Sequence, residues 1–315
     1  MAKPARIVSL LASGTEILFG LGLAERVVAV SHECDHPSQV RTLPRATFSH
    51  IDSQQSSDAI DSQVRQLSVS GAALYEIDRR RLLELKPDLI VTQSQCDVCA
   101  VKYQDVVDLV RSDARLAGTR VVALNPLSLD DVFQDILRVG QAAGSAPEAQ
   151  RFVDQLRLRV ECIQDRAAQL DKLERPRVAC IEWVEPLMLA ANWMPQLIEL
   201  AGGLNGLTEH GQHSTYSRWE DLVHYDPELL LVMPCGFDLE RSVAELRVLS
   251  QLPGWHQLTA VKQQRVYAAD GNAYFNRSGP RLVDSLEILA HLFHPDTFPD
   301  PVPRGTAWRA IGESA

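Results

Sequence analysis

The sequence predicts an α/β protein made of two similar lobes joined by one long helix, and three observations carry that expectation. Apolar, β-branched runs alternate with helical patterns along the 315 residues, as βα units with largely parallel sheets require. An internal echo divides the chain. Leu85-Lys86-Pro87-Asp88-Leu89-Ile90-Val91 is matched 140 positions later by Tyr225-Asp226-Pro227-Glu228-Leu229-Leu230-Leu231. Arg120-Val121-Val122-Ala123-Leu124-Asn125 is matched 145 positions later by Arg265-Val266-Tyr267-Ala268-Ala269-Asp270. Between the two halves, one helical pattern outlasts the others.

The elements follow in order. Residues 1–144 form the first lobe. Ser145-Ala146-Pro147-Glu148 then reads as an N-cap with a capping-box Glu and Pro near the helix start. Phe152, Leu156, Val160, Ile163, Ala167 and Leu170 keep helical spacing to about Lys172, and Pro176 blocks continuation. This bridging helix, 145–172, has roughly 26 regular residues and a length of about 39 Å. Residues 173–296 form the second lobe. The tail, 297–315, begins within the Pro-rich stretch from His294 to Arg304, which is expected to lie extended over the surface or to be disordered.

Composition limits the function. A charged fraction of 23%, an apolar fraction of 45% and a net charge of −10 describe a globular chain without a general nucleic-acid surface. Arg79-Arg80-Arg81 reads as a solvated helix start. No run of about 18 apolar residues spans a membrane. The N-terminus shows no secretory signal, so the cytoplasm is the expected compartment, or the periplasm if the true start lies upstream. There, thiols or metal ligands are expected of the six cysteines.

Four cysteines follow strand-like runs, where open α/β sheets place ligands. Cys34 follows Val27–Val30, Cys96 and Cys99 follow Leu89–Gln93, and Cys235 follows Leu229–Val232. Thiolates hold zinc or iron–sulfur clusters, and Cys96-Asp97-Val98-Cys99 has the gap that lets two sulfurs face one ion. A redox dithiol or plain packing fits the pair as well. His32 and Glu33, beside Cys34 in His32-Glu33-Cys34-Asp35-His36-Pro37, are further candidate ligands. An ordinary polar turn has the same composition. Cys162 and Cys180 are expected in the core. No G-x-S-x-G, Walker, G-x-G-x-x-G or H-E-x-x-H motif occurs, so nothing specifies an enzyme.

The chain also resembles a known family. Arg6–Leu10, Thr15-Glu16-Ile17-Leu18, Leu21-Gly22-Leu23 and Val27–Val30 are similar to the start of the vitamin B12 and iron-siderophore substrate-binding proteins. Lys86-Pro87-Asp88-Leu89-Ile90, Glu199-Leu200-Ala201-Gly202-Gly203 and Pro227–Val232 extend the resemblance, which covers residues 5 to 295. It implies two Rossmann-like lobes with parallel sheets, bridged by one helix, and a metal chelate, foremost a corrinoid such as cobalamin, held between them. The alternative is a cytoplasmic metalloprotein or enzyme with a Cys-ligated zinc or iron–sulfur site in the cleft. Relatives that serve ABC importers dock through one acidic side chain on each lobe. The matching positions are Arg80 and Glu220, and the reversal at Arg80 is expected to oppose docking.

Within this resemblance, the residues after the strands become candidate ligand contacts. Glu182 and Trp183 end the strand beginning at Val178, and Trp193 is expected to start the next helix. Trp183, Trp193 and Tyr274 are suitable faces for a flat macrocycle, with core packing the other reading of both tryptophans. Arg277 or Arg281 can fork onto a carboxylate or phosphate, or close an ion pair within the lobe. Glu16 lies in the first loop, which reads equally as a helix cap.

Overall fold

A strand that is apolar on both faces has to be covered on both faces, and the apolar runs Leu89–Val91 and Leu229–Val232 lie in inner strands of two sheets. The computed structural model describes residues 3–94, 100–302 and 305–312. They divide into unit 1, Met1–Pro126 with Asp130–Gln155, and unit 2, Leu127–Leu129 with Leu156–Ala315.

Unit 1 contains β1 (Ile7–Ser9), β2 (Val27–Val30), β3 (Thr47–Ser49), β4 (Tyr75–Ile77), β5 (Leu89–Gln93) and β6 (Arg120–Leu124). Its main sheet runs β2-β1-β5-β6 with every pair parallel. β5 is buried at every residue. β3 and β4 pair antiparallel as a separate two-stranded ribbon. The helices are α1 (Ala12–Gly20), α2 (Ser57–Ser70), α3 (Arg79–Leu85), α4 (Tyr103–Ser112) and α5 (Leu129–Ala143). The arginine triplet opens α3 as expected, with Asp78 as N-cap accepting from Arg81 N.

The chain passes from unit 1 to unit 2 within α6 (Ala146–Ala167). Leu156, Val160, Ile163 and Ala167 are buried as the spacing predicts, with Val153 buried in place of the half-buried Phe152. The helix ends at Ala167, short of Lys172. Asp171 starts a separate short turn there, closed by a capping box with Glu174. Cys162, expected in the core, is exposed because it lies outside the buried stripe. Cys180 is buried in a strand as expected, and desolvation pushes its thiol far up.

Unit 2 contains β7 (Val178–Trp183), β8 (Met188–Leu189), β9 (Leu229–Val232), β10 (Val266–Ala269) and β11 (Trp308–Ala310) in the order β11-β10-β9-β7-β8. The inner strands are parallel, and β8 and β11 are antiparallel edges. The helices are α7 (Met194–Leu200), α8 (Trp219–Tyr225), α9 (Leu239–Leu249), α10 (Thr259–Lys262) and α11 (Leu282–Phe293). The C-terminal tail corrects an expectation: Phe298 is buried, and β11 adds a strand to the sheet. Proline richness concealed a short Trp-bearing strand beyond it.

The sequence echo is a structural repeat. Lys86 and Asp226 each end a helix with positive φ, 46° and 48°, immediately before Pro87 and Pro227. Asp88 N and Leu89 N then donate to Arg6 O, and Glu228 N and Leu229 N donate to Arg177 O. The side chains repeat too. Asp88 Oδ2 accepts from Arg6 N, and Glu228 Oε2 from Arg177 N, both at 2.9 Å. Each strand is thus locked to its parallel neighbour by the same backbone and carboxylate device.

Candidate functional site

Ligand crevices in open α/β sheets form outside the carboxyl ends of strands, where the strand order reverses. In unit 1 the reversal falls at β1, flanked by β2 and β5. In unit 2 it falls at β7, flanked by β8 and β9.

At the unit 1 reversal, α1 starts close against the sheet. A Cβ on Gly14 would sit 2.8 Å from Val91 Cγ1, so a larger residue has to displace that side chain. Ser13, Thr15 and Glu16 on this helix are buried. Thr15 Oγ1 lies 3.1 Å from the buried Cys34 Sγ, and Arg45 Nη1 donates to Cys34 O at 2.7 Å. His32 has Nδ1 2.7 Å from Thr47 Oγ1, which donates to Ser31 Oγ. Its Nε2 lies 3.1 Å from Glu33 Oε1. The loop is therefore an ordered polar network. Thr15, Ser31 and Thr47 were not among the sequence candidates; hydroxyls 15 and 19 positions from their partners give no local signal.

Cys96 and Cys99 lie outside the described residues. Among the described residues no group of three or more His, Cys, Asp or Glu side chains is arranged to hold a metal ion. Cys34 belongs to unit 1 and Cys235, which is exposed, to unit 2.

At the unit 2 reversal, the ladder between β7 and β9 continues past both strands. Met233 N donates to Ile181 O and Cys235 N to Glu182 O, each at 3.0 Å. This holds Cys235 beside the end of β7. Glu182 is only partly covered as a residue, yet its carboxyl is desolvated. Burial pushes its pKa up, opposed by the Ser214 hydroxyl, which donates to Oε2 at 2.7 Å. The half-buried Trp183 ring lies 5.3 Å from the Phe237 ring, and the Arg241 guanidinium sits over Phe237 at 3.6 Å. The Trp183 indole donates to Glu185 O.

The loop after β10 closes onto the same edge. Asn276 Nδ2 donates to Met233 O at 2.7 Å and to Gly271 O at 3.1 Å. A Cβ on Gly271 would lie 2.5 Å from Met233 O and strike Pro234 O, so only glycine fits between the loops. Burial raises the Asp270 carboxyl, with Asp238 adding to the rise. Arg277 Nη2 donates to Asn272 Oδ1 at 2.8 Å, and Arg281 lies 5.6 Å from the Tyr274 ring centre. Tyr274, Arg277 and Arg281 are half-buried. Trp193 caps α7 as expected; it is buried, and its indole donates to Phe275 O at 2.7 Å.

Unit 2 therefore gathers Glu182, Trp183, Cys235 and the loop 270–281 along one edge. Ser214, Phe237 and Arg241 complete it, and none was a sequence candidate. The edge offers aromatic faces, guanidinium groups and one desolvated carboxyl. That set suits a large, partly apolar ligand with polar substituents.

A family model described as periplasmic binding protein matches residues 7–273. An uncharacterized ABC transporter substrate-binding lipoprotein of Bacillus subtilis is 24% identical over 298 residues, 94% of this chain and 82% of its own length. A vitamin B12-binding protein of Vibrio cholerae is 23% identical over 293 residues, 91% of this chain and 89% of its own. Among solved structures, a periplasmic heme-binding protein from Pseudomonas aeruginosa aligns with a TM-score of 0.70 at 21% identity, covering 93% of this chain and 94% of that one.

Proposed function

On the premise that this chain belongs to the periplasmic binding protein family, as the match over most of its length shows, we propose that it is the substrate-binding component of an ABC importer and that its ligand is a planar metal chelate, foremost a corrinoid. The observation that carries the ligand class is the unit 2 edge, where the half-buried Trp183 face adjoins Phe237, with arginines at positions 277 and 281 on the loop latched beside it. A macrocycle buries apolar area on such rings while its substituents meet polar groups at the rim. Names of relatives that include vitamin B12, heme and a lipoprotein support both the ligand class and action outside the cytoplasmic membrane, rather than in the cytoplasm.

The proposed partners are importer membrane subunits. Arg80 on α3 and Glu220 on α8 are exposed, each beside an opposite charge on its own segment: Glu84 at 3.9 Å and Arg218 at 3.5 Å. A matching transporter presents an acidic pocket to the first and a basic pocket to the second.

Spectrophotometric titration with dicyanocobinamide, cyanocobalamin and hemin tests the ligand class. One chelate is expected to bind saturably at one per chain, with quenching of tryptophan fluorescence. Trp183→Ala is expected to weaken it about tenfold, the loss of one aromatic contact. No saturable change with any chelate would overturn the reading.

A further inference from the structure

We propose that Glu182 selects the ligand by its uncharged amide groups, accepting a chelate with a carboxamide periphery and turning away one with a carboxylate periphery. The inference rests on the carrier reading above and adds to it the chemistry that distinguishes a corrinoid from a heme.

The geometry at Glu182 is specific. The residue stands at the penultimate position of β7, at the strand reversal, with its carbonyl held by Cys235 N at 3.0 Å and the half-buried Trp183 ring next to it. Ser214 Oγ is fixed by Ala191 N at 3.0 Å and Asn192 Nδ2 at 3.5 Å, so its single proton is free to go to Glu182 Oε2. Among the described residues no lysine, arginine or histidine pairs with the Glu182 carboxyl. One hydroxyl donor does not satisfy a desolvated carboxylate, which needs several donors or a cation. Burial accordingly pushes this carboxyl up. The Arg277 guanidinium, on the loop after β10, donates to Asn272 Oδ1.

A carboxylic acid presents one O–H donor and keeps acceptor capacity on its other oxygen. A primary amide presents the complement, a carbonyl acceptor and an N–H donor, so the two close a pair of parallel hydrogen bonds. In either protonation state Oε2 accepts from the ligand amide as well as from Ser214, and when the carboxyl is protonated Oε1 gives its proton to the amide carbonyl. A ligand carboxylate has no proton to offer Oε2. It also meets like charge whenever Glu182 ionises. Corrin rings carry amide side chains, whereas heme carries two propionates.

Dicyanocobinamide and dicyanocobyrinic acid share a ring, a cobalt ion and axial ligands, and differ in having amides or carboxylates at the periphery. The wild-type protein is expected to bind the amide form at least about tenfold more tightly, the worth of one to two net hydrogen bonds. In Glu182→Gln, which keeps the shape and donates to either group, the preference is expected to fall below about threefold. Ser214→Ala is expected to reduce it as well. Equal wild-type affinities would overturn the inference with the carrier reading intact, and so would a preference that survives Glu182→Gln. Failure of the wild type to bind either compound would overturn the inference, and the carrier reading falls with it only where hemin also fails to bind. The wild-type comparison needs no variant to fold.

Discussion

The two units share a parallel three-strand core, β1-β5-β6 in one and β7-β9-β10 in the other, and among the described residues they differ in what surrounds the strand reversal. In unit 1 the segments after β1 and β2, with β3, carry hydroxyls, an imidazole and a thiol, packed into hydrogen bonds with one another. In unit 2 the end of β7 and the segments after β9 and β10 carry an aromatic pair, a desolvated carboxyl and two arginines, several of them half-buried. The edges differ too, since unit 1 ends in parallel β2 and unit 2 in antiparallel β8 and β11. The shared part consists of backbone hydrogen bonds and buried aliphatic side chains, which tolerate little change. The divergent part is loop, where backbone constraint is weak and function concentrates.

If the two cores are equivalent, matched truncations should cost the same. Ile90 and Leu230, 140 positions apart, are both fully buried in their central strands. Ile90→Ala and Leu230→Ala are each expected to destabilise by about 2–5 kcal/mol in urea unfolding. A markedly cheaper substitution on one side would show that its core repacks and would break the comparison.

The helices after β6 and β10 each carry an acid whose carboxyl desolvation raises, buried on α5 and half-buried on α11. Asp135 on α5 pairs with Arg138 at 2.6 Å and has its other oxygen buried without a hydrogen-bond partner, whereas Asp284 on α11 shares Arg159 with Glu287. Desolvation, against the pull of Arg138, raises the Asp135 carboxyl to about 6 from an ordinary 3.8. A raised folded-state value means that its contribution is fully present below the unfolded value and is lost as pH rises through about 6. Asp135→Asn is therefore expected to stabilise the protein at pH 8 by up to about 3 kcal/mol and to change it little at pH 4. Equal effects at the two pH values would remove Asp135 as a source of strain in unit 1.

The glycines at the two reversals sharpen the comparison further. Gly271→Ala pushes a methyl into the backbone carbonyls of Met233 and Pro234, and Gly14→Ala pushes one into side chains of Val91 and Leu11. The first is expected to cost about 2–3 kcal/mol and the second about 1 kcal/mol, because side chains move where backbone does not. Thermal melts of the two variants would check the order.

Much of the architecture was legible in the linear chain. The Pro-Asp and Pro-Glu strands, the arginine helix start and the buried stripe of α6 are local patterns of short period, and each appears where its pattern places it. Cys162 shows the limit of that legibility. Its helix was evident, but one residue outside the stripe is exposed, and spacing alone did not say on which side of the boundary it fell. β11 was hidden because three residues make too short a pattern, and their strand character comes from pairing with β10. At the site, Glu182 and Trp183 were legible from their place after an apolar run. Ser214 and Phe237 were not, because they meet those residues across 32 positions or more of sequence, and Arg241 joins only through Phe237.

The sequence by itself determined the duplicated α/β plan, because hydrophobic period, helix caps and prolines act over a few residues and can be read along the chain. The tertiary structure decided which polar groups at the strand ends are satisfied by neighbours and which are desolvated with a single partner. That outcome is set by burial and by long-range pairing, as when Ser214 reaches Glu182 and Asn276 reaches Met233. No local pattern encodes a dielectric environment, so the chemistry of Glu182 becomes visible only once the fold has withdrawn its carboxyl from water.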